Sequence, residues 1–99
     1  MTLVDEIEAI IKLNIPDAKI LVMNTNNDGE HFEAVVISKS FNNVSLLKQH
    51  QAIMKPLKNE FQEKVHALGL KTFSLDKWES TKESFPLINE KIKEKYNDI

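Results

Sequence analysis

Cysteine and arginine are both absent from this 99-residue chain. Without cysteine it forms no disulfide, has no thiolate nucleophile, and cannot hold a cysteine-ligated zinc ion or iron–sulfur cluster by itself. Any such metal would need ligands from a partner. Without arginine the chain also lacks the side chain that makes bidentate contacts with phosphate and guanine.

Glycine is scarce, and the motifs of common catalytic sites are missing. The two glycines, Gly29 and Gly69, lie far apart, which excludes a glycine-rich phosphate loop and a Gly-x-Ser-x-Gly elbow. No His-x-x-x-His pair is present, and the adjacent Asp5 and Glu6 would point in different directions on a helix. We therefore expect a protein that is not an enzyme.

Long apolar runs are also lacking. The segment 34–37 is far too short to span a membrane, and residues 1–6 show no basic region followed by an apolar one. We expect a soluble cytoplasmic protein, independent of membranes, with a modest single core.

Charge is unevenly distributed although the net charge is only −2. Residues 1–38 carry a net charge of −5, whereas residues 39–77 carry +4. The basic half is the only candidate footprint for nucleic acid, through Lys48, Lys55, Lys58 and Lys64. A solvated helix face is the favoured interpretation, because no arginine accompanies these lysines.

Hydrophobic periodicity predicts helices and strands in the order α-β-β-α-α-β. Thr2 and Asp5 begin a first helix that runs to about Leu13, and Pro16 ends it. Two strands follow, 18–23 and 31–39, joined by a loop whose Asp-Gly pair suits a hairpin. A helical stretch, 44–64, contains Pro56 and should therefore kink or divide into helices 44–55 and 56–65.

A third strand, 69–75, follows the helical crossover and should run parallel to a neighbouring strand. The prediction is an α+β fold in which helices pack on a three-stranded mixed sheet. Residues 1–78 would form this domain, and 79–84 would be a linker to a C-terminal amphipathic helix from Pro86. That helix would dock on its own chain or contact a second molecule; docking is favoured, and a homodimer is left open.

His66 lies at the predicted join between the long helical stretch and the third strand. An imidazole held between two rigid elements is either a structural side chain or a ligand. His31, at a strand start, is either a surface residue or a second ligand. His50 falls near the predicted inward face of its helix, where packing is favoured over chemistry. The other side chains expected on that face are Leu47, Ile53, Met54 and Leu57.

The sequence resembles the BolA family over about residues 3–78. The resemblance rests on the segments 31–38, 48–51 and 65–68, together with Phe41, Pro56, Leu57, Thr72 and Trp78. It differs in Gln49-His50-Gln51, where the family often has Arg-His-Arg. The resemblance implies a class II KH-like fold, a partnership with monothiol glutaredoxins in iron–sulfur cluster trafficking, and a described role in transcriptional regulation.

In BolA-like proteins the histidine of the His-Ala-Leu segment ligates a [2Fe-2S] cluster shared with the glutaredoxin, and glutathione accompanies the partner. That role falls on His66. A second ligand usually comes from the loop between the first two strands, where only His31, at its end, is available. The alternative function is a nucleic-acid-binding regulator with weak DNA contacts, although the Gly-x-x-Gly loop of KH domains is missing.

Overall fold

The first helix, α1 (Leu3–Asn14), begins with the predicted capping box at Thr2. The Asp5 amide donates to the Thr2 hydroxyl oxygen (3.2 Å), and the Thr2 amide donates to the Asp5 carboxylate (3.3 Å). These bonds, from the Thr2 amide first and then its hydroxyl, hold the pKa of the exposed Asp5 below its ordinary value. The computed structural model describes residues 2–25, 31–61 and 67–96.

A three-stranded mixed sheet forms the centre of the protein, as predicted. Its strands are β1 (Lys19–Asn24), β2 (His31–Ser38) and β3 (Ala67–Ser74), in the spatial order β1-β2-β3. β1 pairs with β2 antiparallel, and β3 pairs with β2 parallel. β3 begins two residues earlier than predicted.

Every residue of the central strand β2 from Ala34 onward is buried, so both faces of the strand are covered. Phe32, Ala34 and Val36 face the larger core, which contains α1 and the helix α2 (Leu46–Phe61). Val35 and Ile37 face a second, smaller core on the other side of the sheet. The sheet is thus a middle layer between two groups of helices.

α2 continues through Pro56 as a single helix, in place of the two helices considered as one alternative. Ile53 and Leu57 lie on either side of the proline and both pack into the larger core, which holds the two halves together. Ile53 and Leu57 face inward as expected, and only the first turn of the helix differs from the expectation. Leu47, predicted to face inward, is 68% exposed, and Gln49 is buried instead.

A short turn links β2 to α2. Lys39–Phe41 forms a 3-10 turn, and Asn43 adopts the left-handed backbone expected for it, with φ of 64°. Asp17 anchors this turn, because its carboxylate accepts hydrogen bonds from the Ser38 and Ser40 hydroxyls (both 2.7 Å) and from the Lys39 amide (3.1 Å).

The C-terminal residues build the second core. α3 (Leu75–Thr81) follows β3 directly, a 3-10 turn spans Lys82–Ser84, and α4 (Pro86–Tyr96) comes next. The predicted linker at 79–84 is therefore helical; its local sequence has no apolar period, but Trp78 is buried and fixes the segment to the sheet.

α4 packs on its own chain, as favoured from sequence. Ile92 is buried with Val35, Ile37 and Trp78, and Phe73 and Phe85 pack around this group. The Phe73 ring lies edge-on to both Trp78 and Phe85, with centroids 5.1 and 5.4 Å apart. The division at residue 78 stays a prediction. No helix in the described parts of the chain is long and apolar enough to cross a membrane.

Candidate metal centre

His31 is the first residue of β2, so a regular strand sets its backbone position. Its carbonyl oxygen accepts a hydrogen bond from the Thr25 amide (3.1 Å) just beyond the end of β1. The side chain is partly exposed. A partner molecule can therefore reach a side chain whose backbone position the sheet fixes.

The parallel pairing of β2 and β3 places Ala67 opposite His31. Each is the first residue of its strand, and their Cα atoms are register partners. His66, the principal predicted ligand, lies outside the described residues, and it is joined to Ala67 by a peptide bond. The sheet thus brings the strand start after His66 beside His31, although the two segments are far apart in sequence.

Glu33 occupies the next position on the same face of β2 as His31, since alternate residues of a strand share a face. Its register partner is Gly69, which is exposed. A Cβ added at Gly69 would lie 3.4 Å from the Glu33 Cγ, an ordinary van der Waals contact, so the Glu33 side chain lies directly beside β3 at this position. A carboxylate here can orient an imidazole by accepting its second N–H.

The described residues alone do not form a complete metal site. Among residues 2–25, 31–61 and 67–96, no group of three or more histidine, cysteine, aspartate or glutamate side chains is placed to hold a metal ion. Any metal at His31 must therefore take further ligands from outside this set. His66 and a partner's side chains are the sources that the sequence predicts.

His50 lies away from these strand starts. The preceding residue, Gln49, bonds to Thr72, which is five residues along β3 from Ala67, or about 17 Å at the usual rise of a strand. His50 is partly buried beside this contact. Its surroundings agree with packing, the interpretation favoured from sequence.

The predicted nucleic-acid footprint is exposed where it is described. Lys48, Lys55 and Lys58 all lie on the solvent side of α2, opposite the buried Ile53 and Leu57. Lys64 lies outside the described residues. The structure thus leaves three lysines on one helix outside the core, as both the solvated-face and the nucleic-acid interpretations require.

Comparison with known proteins decides the family. The family model described as BolA-like protein matches residues 10–77, well over half of the chain. The chain belongs to the BolA family. The match ends one residue before Trp78, so α4 lies beyond the part of the chain that the BolA model covers.

Relatives and solved structures agree with this assignment. An uncharacterized protein of Buchnera aphidicola subsp. Baizongia pistaciae is 33% identical over 81% of this chain and 99% of its own length. A bolA protein homologue from Coxiella burnetii has the same fold, with a TM-score of 0.65 and 30% identity over 80% of this chain and 99% of that one. Yeast Fra2 gives a TM-score of 0.62 at 28% identity, over 78% of this chain and 84% of its own.

Two of the relatives carry a functional name. The DNA-binding transcriptional regulator BolA of Haemophilus influenzae is 34% identical over 57% of this chain, and the match spans about half of its length, 54%. BolA1 from Mus musculus, at 21% identity and a TM-score of 0.69 over 80% of this chain and 70% of its own, shows the BolA fold alone.

Gln49, which from sequence was only a departure from the family's Arg-His-Arg run, forms buried hydrogen bonds in this BolA domain. It is 7% exposed, accepts a hydrogen bond from the Thr72 hydroxyl (2.7 Å) and donates to the Val44 carbonyl oxygen (2.8 Å). Its spacing of four residues from Ile53 and eight from Leu57 is the signal that places it on the buried face of α2.

Proposed function

We propose that this BolA-like protein is an adaptor that binds a monothiol glutaredoxin and shares a [2Fe-2S] cluster with it. His66 and His31 would supply imidazole nitrogens from this chain, and the partner with its glutathione would supply thiolates. The role would lie in iron–sulfur cluster trafficking or in iron or redox sensing. A monothiol glutaredoxin is proposed as the partner because the sequence resembles the BolA family.

The observation that carries the proposal is the register between His31 and Ala67. Two histidines 35 positions apart in the sequence can ligate one metal centre only if the fold brings their segments together. The parallel pairing places His31 opposite Ala67, the residue after His66. Helices and strands fix such positions better than loops do. The partly exposed His31 side chain suits a centre completed by a second protein.

The donor set of the chain fits a shared cluster and not a cluster held by this chain alone. The sequence has three histidines and no cysteine. Iron–sulfur clusters are held mainly by thiolates, but two histidines can replace two cysteines on one iron. When bound, a two-iron cluster with mixed ligands would supply one-electron chemistry at a higher potential than one with thiolates only.

In this chain, the histidines must be neutral at the ligating nitrogen to bind iron, and the other nitrogen must be held in one orientation. Glu33, on the same face of β2 as His31, is the described carboxylate available for that task. This assigns Glu33 a positioning role.

The direct test is assembly of the mixed complex. The purified chain is combined with a monothiol glutaredoxin, glutathione, iron and sulfide, and visible absorption and circular dichroism are recorded. We expect a heterodimer whose spectrum differs from that of the glutaredoxin homodimer with its own cluster. If the spectrum and the stoichiometry match the glutaredoxin alone, the adaptor proposal is refuted.

A DNA-binding regulator is the second candidate, and two observations favour it. Lys48, Lys55 and Lys58 form an exposed basic strip on α2, and a 34%-identical relative is named a DNA-binding transcriptional regulator. Phosphate contacts from these lysines would give weak, sequence-independent binding. We rank this candidate second because the chain has no arginine for base contacts.

A further inference from the structure

β1 is an edge strand, with β2 as its only neighbour in the described sheet. Edge strands expose unpaired N–H and C=O groups that can pair with another chain unless charges, proline or a covering element prevent it. β1 reads Lys-Ile-Leu-Val-Met-Asn, with one charge and no proline. Its own sequence therefore gives the edge little protection.

The end of α4 covers this edge at Ile20. The Ile20 amide donates to the Tyr96 hydroxyl oxygen (2.7 Å), and the Ile20 carbonyl oxygen accepts from the same hydroxyl (3.2 Å) and from the Lys95 ammonium (2.7 Å). Both backbone groups of Ile20 are thereby satisfied by side chains where a further strand would otherwise bond.

The covering segment also connects the two faces of the sheet. α4 packs through Ile92 on the face that carries Val35 and Ile37. Lys95 forms an ion pair with Glu8 of α1, which packs on the opposite face. The last turn of α4 thus passes around the β1 edge and ties α4 to α1.

The hydrogen-bonding edge of β1 is self-complementary. The backbone N–H and C=O groups of successive residues in an antiparallel strand point alternately to its two sides. Those of Ile20 point away from β2, so those of Val22 and Asn24 point away from β2 as well. Two copies of β1 centred on Val22 would place Val22 against Val22 and Leu21 against Met23. Lys19 would face Thr25, so no like charges would oppose each other.

We propose that the β1 edge is a latent interface for a second copy of this chain, and that Lys95 and Tyr96 keep it closed. When these two side chains move away from Ile20, two β1 strands pair antiparallel and join two sheets into one of six strands. The C-terminal helix, which lies beyond the region matched by the BolA model, would then determine whether the protein is a monomer or a dimer.

The test uses the full chain with Lys95→Ala and Tyr96→Phe, singly and together. Tyr96→Phe removes the hydroxyl and keeps the ring in the second core. We expect the wild type to sediment as a monomer, the double variant to double its weight-average mass with rising concentration, and the single variants to lie between. Lys91→Ala with Lys93→Ala, two exposed changes on the same helix, is the control that should stay monomeric.

Adding Asn24→Pro to the double variant locates the interface. Proline removes an outward N–H from the last residue of β1 without removing a bond to β2, so it should restore the monomer and keep the circular dichroism spectrum. Hydrogen exchange at the Ile20 amide should be slow in the wild type and several-fold faster in this triple variant.

A double variant that stays monomeric while its Ile20 amide exchanges fast would overturn the proposal, because the edge would then be open without pairing with a second copy. Any strand that pairs with it would have to come from a different protein. A dimer that survives Asn24→Pro, or a wild type already dimeric through β1, would overturn it as well. If the double variant does not fold, Tyr96→Phe alone decides by the same criteria.

Discussion

The Thr72 hydroxyl donates a 2.7 Å hydrogen bond to the Gln49 side-chain oxygen and so joins α2 to β3 inside the protein. Both residues are at least nine-tenths buried. The Gln49 amide nitrogen continues this connection to the Val44 carbonyl oxygen at 2.8 Å. A short polar path therefore links the start of α2, its first buried turn and the middle of β3.

Gln49→Met should destabilise the protein by about 1–3 kcal/mol, because it leaves a buried hydroxyl at Thr72 without its acceptor. Thr72→Val should cost a similar amount by leaving the Gln49 oxygen unpaired. Chemical denaturation measures both free energies of unfolding. The double variant should cost less than the sum of the single ones, since neither buried partner is then stranded.

If the losses in the free energy of unfolding of the two single variants add up to that of the double variant, the two side chains do not depend on each other. A control is Gln51→Met, an exposed position two residues along α2, which should change the free energy of unfolding by less than about 0.5 kcal/mol.

Asp17 should make the stability depend on pH. Burial raises the pKa of this carboxyl, but hydrogen bonds from Ser40, Ser38 and the Lys39 amide outweigh it, so the pKa in the folded protein is lowered. A lowered folded pKa means that the stabilisation is complete above the unfolded value of about 3.9 and is lost as the pH falls through the folded pKa.

Asp17→Asn should therefore cost about 1 kcal/mol at pH 7, discounted because the side chain is largely exposed. The difference in the free energy of unfolding between the wild type and Asp17→Asn should narrow below about pH 4. Urea unfolding across this range measures it, with the exposed Glu60→Gln as a control for loss of a charge. A gap that stays constant with pH would contradict the assigned role.

The pattern of apolar residues predicted β2 as a strand, the Asp-Gly turn predicted its antiparallel pairing with β1, and the helical crossover predicted the parallel β3. The inward positions of Ile53 and Leu57 in α2 followed from their spacing. The first turn of the helix was predicted wrongly, because Gln49 faces inward in place of the more apolar Leu47. The helical state of 79–84 depends on the packing of Trp78 against Phe73 and Phe85, which local sequence does not show.

The candidate site, like the fold, could be predicted only in part from the sequence. His31 could be placed at a strand start from sequence, but its partnership with Ala67 needed the parallel register, which no local pattern contains. The prediction of His66 as a ligand depends on the BolA resemblance, since without it a histidine at a junction is better explained as structural.

Ile92→Ala tests whether α4 belongs to the folded core. Ile92 is 2% exposed in the second core, so truncation should leave a cavity and cost about 2–5 kcal/mol. Leu87→Ala on the same helix, at a side chain that is 78% exposed, should change stability by less than about 0.5 kcal/mol. Thermal melts compare the two.

Equal, small effects for the two variants would make α4 dispensable and favour the predicted domain boundary at residue 78. A large effect at Ile92 alone would place α4 within the cooperative unit. A chain ending at Trp78 would then be markedly less stable than the full chain.

The basic strip on α2 should bind DNA weakly and with a steep salt dependence. Removing one lysine–phosphate pair should reduce the slope of log affinity against log salt by about 0.9. Glutamine at Lys48, Lys55 and Lys58 should therefore flatten the slope, measured by fluorescence anisotropy with a labelled duplex. The matched control replaces three other exposed lysines with glutamine, at positions 77, 91 and 93.

Identical effects of the two triple variants would mean that only net charge matters and that α2 is no specific footprint. Tight binding to one sequence that persists at high salt would reverse the ranking of the two candidate functions.

His66→Ala should abolish or markedly alter the visible spectrum of the mixed cluster with a monothiol glutaredoxin, because the chain then loses its principal imidazole ligand. His31→Ala should weaken the spectrum if His31 is the second ligand. His50→Ala is the matched control, since His50 lies beside the Gln49–Thr72 contact and away from the strand starts.

A structural role for His66 gives the opposite result. Its replacement would then cost about 1–3 kcal/mol by leaving a buried partner without its hydrogen bond, and the cluster spectrum would be unchanged. Thermal melts and cluster spectra of the three variants therefore separate the two roles. A His66 variant that is destabilised yet assembles a normal cluster would exclude it as a ligand, and the register between His31 and Ala67 would then have only a structural meaning.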